Sequence, residues 1–478
     1  MPHTLSARQL QAMLTDGSLT SRALAALLLE RIQRYDPTLR AVIETNPRLL
    51  EEAEALDAER RSSGPRGPLH GIPVLVKDNI DTQAPLHTTA NSRALAGYSP
   101  AQDAFLVQRL RAAGALILGK ASLTEFANFV TVGMPSGYGS LNGQTLNPYG
   151  RSFDVGGSSS GSAAGVAAGY APLSVGTETS GSILNPASQC SLVAVKPTVG
   201  LISRSGIIPI AASQDTAGPM GRNVHDVAML LEVLAGADPQ DEATRSAPEI
   251  PRYTDLLDPG ALRGVRLGVP RRSFTDRLSP EGAVLFERAL EDLRAAGAEL
   301  VDPCDLESAE ALQGTTFDVL IYEFKRDLNR YLQHLPAPYP RSLAELISVY
   351  EADPERMLRY GQVLLLAAQA TSGTLQERAY TYARERDLAL SRAGGIDGAL
   401  EQHGVEALVF PEFWGCSVAA KAGYPSVTVP AGYQEGGKPF NLTFCASAYS
   451  EASLLRFAYA YEQATLHRRD PDLEALLA

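Results

Sequence analysis

The chain of 478 residues carries 42 Lys and Arg against 54 Asp and Glu, a formal net charge of −12, with 45% hydrophobic and 20% charged residues. This globular composition has ample chain for a large core, and its acidic balance excludes the concentrated basic face that nucleic-acid phosphates require. The four cysteines, Cys190, Cys304, Cys416 and Cys445, form no C-x-x-C pair, so neither a disulfide framework nor a zinc knuckle is expected and a reducing cytoplasm fits best.

In chain order, Met1 to Gly17 includes Arg8 and Asp16 where an export signal needs an unbroken apolar run. Thr20 or Ser21 caps a helix carrying Leu24, Leu27, Leu28 and Ile32 at helical spacing, and Asp36-Pro37 is expected to end it. Glu51 to Arg61 reads as a second helix before the Ser62–Pro65 loop, so residues 1–65 form an N-terminal helical segment. Ile72 to Val76 is an apolar strand; Asp103 to Ala113 is helical, Gly114 stops it, and Ala115 to Leu118 is the next strand. The low-charge run Ser158 to Val175 is Gly, Ala and Ser, too weakly apolar for a membrane span.

Further on, Val265–Val269, a helix over Pro280–Ala296, a stop at Gly297 and Ala298–Val301 predict one β-α-β unit with a parallel strand pair. Residues 302–400 turn helical and charged, interrupted at Pro336–Pro340, and read as a variable elaboration over the sheet that shapes a substrate entrance. Strands return at Ala407–Phe410, Ser426–Val429 and Phe440–Phe444, before a helix from Glu451 to Ala464. The alternation predicts an α/β fold over residues 1–478 as a single domain, its sheet covered on both faces.

The chemistry concentrates in Gly156-Gly157-Ser158-Ser159-Ser160-Gly161-Ser162 and Gly176-Thr177-Glu178-Thr179-Ser180-Gly181-Ser182. A linker would not lead into an Ala-rich helix and an apolar Leu173–Val175 strand. A G-x-S-x-G elbow at Ser159, completed by His403, needs a buried strand before it, whereas Asn147 to Gly157 is polar loop.

The segment Gly156 to Gly200 resembles the signature of the amidase signature family, serine hydrolases that cleave carboxylic amides. The likeness runs through Gly181-Ser182-Ile183, Pro186-Ala187 and Val195-Lys196-Pro197-Thr198-Val199-Gly200. It extends to Gly71–Asn79, Gly119–Phe126, Ser213–Met220 and Gly423–Pro430, and leaves Ser308 to Leu400 without landmarks. The resemblance implies a mixed central sheet covered by helices on both faces, with residues 66–225 as the signature core. It implies a Ser-cisSer-Lys triad of Ser182 as nucleophile, Ser158 as bridge after a cis peptide bond, and Lys77 as proton acceptor. Lys77 must then be neutral, and burial at the end of an apolar strand lowers its pKa in that direction. The backbone N–H groups of Thr179, Ser180, Gly181 and Ser182 would form the oxyanion hole, with Gly157, Glu178 and Asp215 in support and Thr177 hydrogen-bonding Ser158.

The commonest family members carry Asp at Glu178, Gly or Asp at Ser180 and Arg at Leu184. An arginine pairs bidentately with a substrate carboxylate and Leu184 cannot, which disfavours half-amides of dicarboxylates. The Gly176–Ile183 and Ser213–Met220 runs are most similar to the peptide amidase subgroup, so amidated peptides are the expected substrates. Small aliphatic or aryl amides are the alternative, as is the glutaminase (A) chain of a tRNA-dependent amidotransferase, and a non-catalytic scaffold is disfavoured by the intact Lys77, Ser158 and Ser182. No cofactor, metal, nucleic acid or membrane partner is expected; monomer and homodimer stay open.

Other features read as structural. Gly114–Ala121 nearly spells a P-loop but has Ala121 where Ser or Thr holds magnesium. Lys196 is expected in a structural ion pair, Cys190 in the core, and Asp36 and Glu44 as solvated charges.

Overall fold

Val74 and Val76 point to one side of their strand and Leu75 to the other; all three are buried, in different clusters, so this strand is covered on both faces. The structure, a computed structural model, describes residues 2–477. Its strands are β1 (Val42–Thr45), β2 (Pro73–Lys77), β3 (Leu116–Ala121), β4 (Tyr138–Gly139), β5 (Gly143–Gln144), β6 (Leu173–Glu178), β7 (Val193–Lys196), β8 (Thr216–Gly221), β9 (Arg266–Gly268), β10 (Glu299–Val301), β11 (Ala407–Pro411), β12 (Ser426–Tyr433) and β13 (Pro439–Cys445). Among the described residues, β4 and β5 form a separate hairpin and the rest one 11-stranded sheet, ordered β1-β3-β2-β6-β8-β7-β12-β13-β11-β9-β10. The β3-β2-β6 and β11-β9-β10 groups are parallel and the other pairings antiparallel, so the sheet is mixed.

One face is covered by the helices Phe105–Ala112, Val224–Leu234, Pro280–Ala295 and Glu451–Thr465. The other is covered by Leu49–Ser63 and by Ser160–Ala167, whose small residues are all buried and let the helix lie close to the sheet. The expected β-α-β unit is present, with Glu299 to Val301 in parallel register with Arg266 to Gly268. The helices Leu320–Leu332, Leu343–Ala352 and Val363–Gln369 pack on Phe126, Phe129, Ile208 and Ile210, in a third cluster beside the sheet. No helix among the described residues is long and apolar enough to cross a membrane.

Two expectations are corrected. Thr20 does cap the helix that starts at Ser21, accepting from the Ala23 N–H at 3.1 Å, but the helix continues through Pro37 to Leu39. A proline in the last turn removes only one intrahelical bond, so it need not stop the chain there. Asp36 is not a solvated charge: its carboxylate accepts from the N–H groups of Ala41 at 2.8 Å and Val42 at 3.2 Å, and burial pushes its pKa up to about 6. Glu44 is likewise engaged, by His87 Nδ1 at 2.8 Å.

Candidate active site

β2 ends in Lys77, and the neighbouring parallel strand β6 carries Thr177 opposite that end. Lys77 Nζ donates to Ser158 Oγ at 2.9 Å, to the Thr177 carbonyl at 3.1 Å and to Thr177 Oγ1 at 2.8 Å. All three partners are uncharged. Lys77 is 0% exposed, and desolvation brings its pKa down to about 7 against a weaker upward pull from Glu178 and Asp215. The sequence places Thr177 against Ser158; the structure gives its hydroxyl to Lys77 and to Asn79 Nδ2, at 3.0 Å, instead. The side chains reach one another because strands far apart in sequence are adjacent in the sheet, not because of spacing along the chain.

Ser158 begins the turn into the buried helix Ser160–Ala167, and the Gly157–Ser158 peptide bond is cis. Gly157 is required by a close approach: a Cβ there would stand 2.6 Å from Thr124 Oγ1. Ser182 lies in the loop between β6 and the helix Leu184–Gln189, and its carbonyl accepts from the Ser159 N–H at 3.1 Å, which ties the two serine segments together. Ser158 is fully buried, whereas Ser182 keeps 8% exposure, the order needed if the outer serine meets a substrate and the inner one a lysine.

The Glu178 carboxylate clasps the loop. Its Oε1 accepts from the Gly181 N–H at 2.7 Å, and its Oε2 from Ile183 at 2.7 Å and Leu184 at 3.0 Å. Burial pushes the Glu178 pKa up, and the charge of Lys196 and the three N–H groups pull it back. This corrects the expected oxyanion strip: the Gly181 N–H is already spent on Glu178, which leaves Thr179, Ser180 and Ser182 as candidate donors. Gly181 is needed for its backbone, with φ at 82° and Cys416 Sγ 3.2 Å from where a Cβ would sit. Leu184 is buried and gives its N–H to the clasp.

Asp215 is fixed from several sides. Thr179 Oγ1 donates to Oδ1 at 2.5 Å, the Ile210 and Ala211 N–H groups to Oδ2 at 2.8 and 2.9 Å, and burial pushes its pKa up to about 7. Lys196 does not form the expected direct ion pair; Nζ donates to the Pro197 carbonyl at 3.0 Å, and Glu178 and Glu451 act on it only at longer range. Cys190 is a fully buried core residue.

A cavity of about 720 Å³ adjoins the cluster, touching it through Asn79, Thr177, Glu178, Thr179 and Asp215; Ser158 and Ser182 are not among its lining residues. Its far wall includes Asp327, Arg330 and Tyr331, from the helical segment expected to shape the entrance. Another cavity, of about 590 Å³, is lined by residues such as Tyr149, Tyr433 and Arg469 and shares none with the predicted site.

Sequence reasoning set Ser159 aside as an elbow nucleophile and assigned no role to Asn79. The Ser159 hydroxyl bridges the Thr177 backbone, donating to its carbonyl at 3.1 Å and accepting from its N–H at 3.2 Å. Asn79 lies in the turn that follows β2, closed by the Ile80 N–H donating to the Lys77 carbonyl at 3.0 Å, so strand periodicity gave no signal for it.

The family model for amidases matches residues 23–455. A protein of Arabidopsis thaliana named "probable amidase" is 42% identical over 464 residues, covering 95% of this chain and 88% of the relative. The A chain of the glutamyl-tRNA(Gln) amidotransferase of Symbiobacterium thermophilum is 35% identical over 494 residues, covering 97% of each protein. The structure superposes on native peptide amidase from Stenotrophomonas maltophilia with a TM-score of 0.94 and 46% identity, over 98% of this chain and 99% of that one. With the mixed sheet and the lysine–serine cluster, these matches show that the chain belongs to the amidase signature family and is an amidase.

Proposed function

We propose that the chain hydrolyses the C-terminal carboxamide of peptides to acid and ammonia through an acyl-enzyme on Ser182. The observation that carries this reading is a buried lysine with only neutral partners, its pKa brought down to about 7, 2.9 Å from Ser158. Ser182 Oγ bonds to the substrate carbonyl carbon while its proton passes to Ser158, whose own proton goes to Lys77 Nζ. The negative charge on the carbonyl oxygen is met by backbone N–H groups of the 179–182 strip that Glu178 leaves unbound. The C–N bond then breaks, and the leaving nitrogen takes the proton back along the same route. Water attacks the ester and gives its proton through Ser158 to Lys77, the C–O bond to Ser182 breaks to release the acid, and Ser182 Oγ takes that proton back.

Likeness to peptide amidase over nearly the whole chain supports the peptide substrate, and Leu184 supports a neutral acyl group in place of a carboxylate. Likeness to the amidotransferase favours a second reading, glutamine as the ammonia source. The test is ammonia release from C-terminally amidated dipeptides, short aliphatic and aryl amides and glutamine, beside Ser182→Ala. Release from the peptide amides that disappears in the variant is the expected result. Release from small amides alone removes the peptide reading, and release from glutamine with co-purifying partner proteins selects the second.

A further inference from the structure

The hydrogens around Lys77 can be counted. As an ammonium, Nζ has three N–H groups for three acceptors, Ser158 Oγ, the Thr177 carbonyl and Thr177 Oγ1. As the neutral amine that a base requires, it has two N–H groups and one lone pair. The carbonyl can only accept, so one of the two hydroxyls must turn and donate to the lone pair. If Ser158 turns, its proton is aimed at the base and the relay is ready. If Thr177 turns, the lone pair is occupied and Ser158 has no acceptor. The outcome depends on whether the Thr177 proton has another place to go.

Asn79 is the other side chain bonded to Thr177 Oγ1, at 3.0 Å through Nδ2. Its backbone is pinned by the Ile208 N–H, which donates to the Asn79 carbonyl at 2.9 Å, and the residue is 2% exposed. With Nδ2 facing Thr177, the buried Oδ1 has no partner. The oxygen and nitrogen of an amide side chain have nearly the same shape, and their assignment follows from the neighbours. With the oxygen facing Thr177, the orphaned acceptor gains a donor and the threonine proton gains an acceptor, at the cost that Nδ2 gives up its bond to Thr177 Oγ1 and moves to the place where Oδ1 stood.

We propose that Asn79 is a positioning residue of this amidase: its side-chain oxygen accepts the Thr177 hydroxyl proton and so reserves the lone pair of Lys77 for Ser158. The inference rests on the Ser182–Ser158–Lys77 relay proposed above. Asn79 acts only through Thr177 and touches no reacting atom.

The test is the rate at which a fluorophosphonate probe labels Ser182 in the full-length protein, followed across pH on both sides of 7, with thermal unfolding as a control for folding. Asn79→Leu is expected to slow labelling by about tenfold to a hundredfold at every pH, with KM for an amide substrate little changed. Asn79→Asp keeps an acceptor but no donor. It is expected to recover the plateau rate, with the rise moved to higher pH, because its carboxylate joins Glu178 and Asp215 in favouring the ammonium of Lys77. Thr177→Val combined with Asn79→Leu is expected to be no slower than Thr177→Val alone.

Labelling of Asn79→Leu at the wild-type rate, an Asp variant as slow as the Leu variant at every pH, or additive losses in the double variant would each overturn the proposal. Should Asn79→Leu fail to fold, the Asp arm decides it, a plateau rate below that of the wild type at every pH overturning the proposal. Failure of the relay itself is separate: wild-type protein that does not label, or Ser182→Ala that labels equally, removes the relay and the role of Asn79 with it.

Discussion

Lys77 and Lys120 stand on adjacent parallel strands, both fully buried, and desolvation pushes both amines below the usual lysine range. Their surroundings differ in one respect. Lys120 donates to the Ile80 carbonyl at 2.7 Å and to Thr88 Oγ1 at 2.9 Å, and has Asp78 Oδ1 3.7 Å away. Asp78 is itself anchored by Thr89 and by the Asn91 N–H. Lys77 has two hydroxyls and a carbonyl in place of a carboxylate. Burial is common to both, so burial does not by itself make a base. What separates them is whether a counter-charge stands close enough to keep the proton on.

The largest effect that would sharpen this comparison is on Lys77. Lys77→Met removes the proposed proton acceptor and should lower kcat by about 10³- to 10⁴-fold, measured on any amide the protein turns over. The same variant should unfold at a higher temperature at neutral pH. Because the folded pKa, about 7, lies below the ordinary 10.5, the unfolded chain binds more protons between those values. Stability therefore rises with pH across that window and is reduced below it, and methionine removes both the cost and the slope. A Lys77→Met protein with no gain in thermal stability would show that the lysine is not held against its charge.

Lys120→Met should do the reverse. It leaves Asp78 buried without its cation and should cost about 3–5 kcal/mol in chemical denaturation, while the folded fraction labels at Ser182 as the wild type does. If Lys120→Met silenced labelling without unfolding the protein, the two lysines would not divide chemistry from structure as proposed. The pH dependence is the next smaller effect. kcat/KM should rise on the acid side of about 7 and level off above it, since only the neutral form of Lys77 accepts a proton. A profile flat through that region takes the base assignment away. The smallest effect concerns Lys196, which acts on the Glu178 carboxylate at a distance. Lys196→Met should let burial push the Glu178 pKa higher and loosen its hold on Gly181, Ile183 and Leu184, with a few-fold loss in kcat.

The pattern of apolar strands and Gly stops was enough to read β2, β9 and β10 to within one residue at each end, because turn chemistry bounds them, whereas β3 runs three residues past the expected Leu118 to Ala121, through Gly119 and Lys120, which break the apolar run. The helix starting at Ser21 was legible at its cap and not at its end, since the sequence shows Pro37 but not that Asp36 caps two N–H groups beyond it. At the site, Lys77, Ser158 and Ser182 were named from motifs, and Ser158 as the bridge to Lys77, but the other partners were not. Thr177 was given to Ser158, because bonds across β2 and β6 depend on register and rotamer, and Glu178 was named in support and as a departure from the common Asp, without its clasp on Gly181, Ile183 and Leu184. Lys77 and Lys120 also look alike in sequence, each following an apolar run; the carboxylate that distinguishes them comes from the turn after β2.

The order of strands has a consequence for how such a protein can change over generations. Residues up to Gly221 supply the block β1-β3-β2-β6-β8-β7, and later residues supply β12-β13-β11-β9-β10. Within the sheet the blocks meet along one pairing, Lys196 to Ala194 against Ser426 to Thr428. Lys77, Ser158, Thr177 and Ser182 all belong to the first block, whereas Asp327, Arg330 and Tyr331 of the neighbouring cavity come from a helix threaded between strands of the second. Insertions and substitutions in that helical stretch can therefore redraw the cavity wall without moving the register that holds the lysine against its serine. That part of the cavity wall can drift in one half of the chain while the lysine–serine cluster is inherited intact in the other.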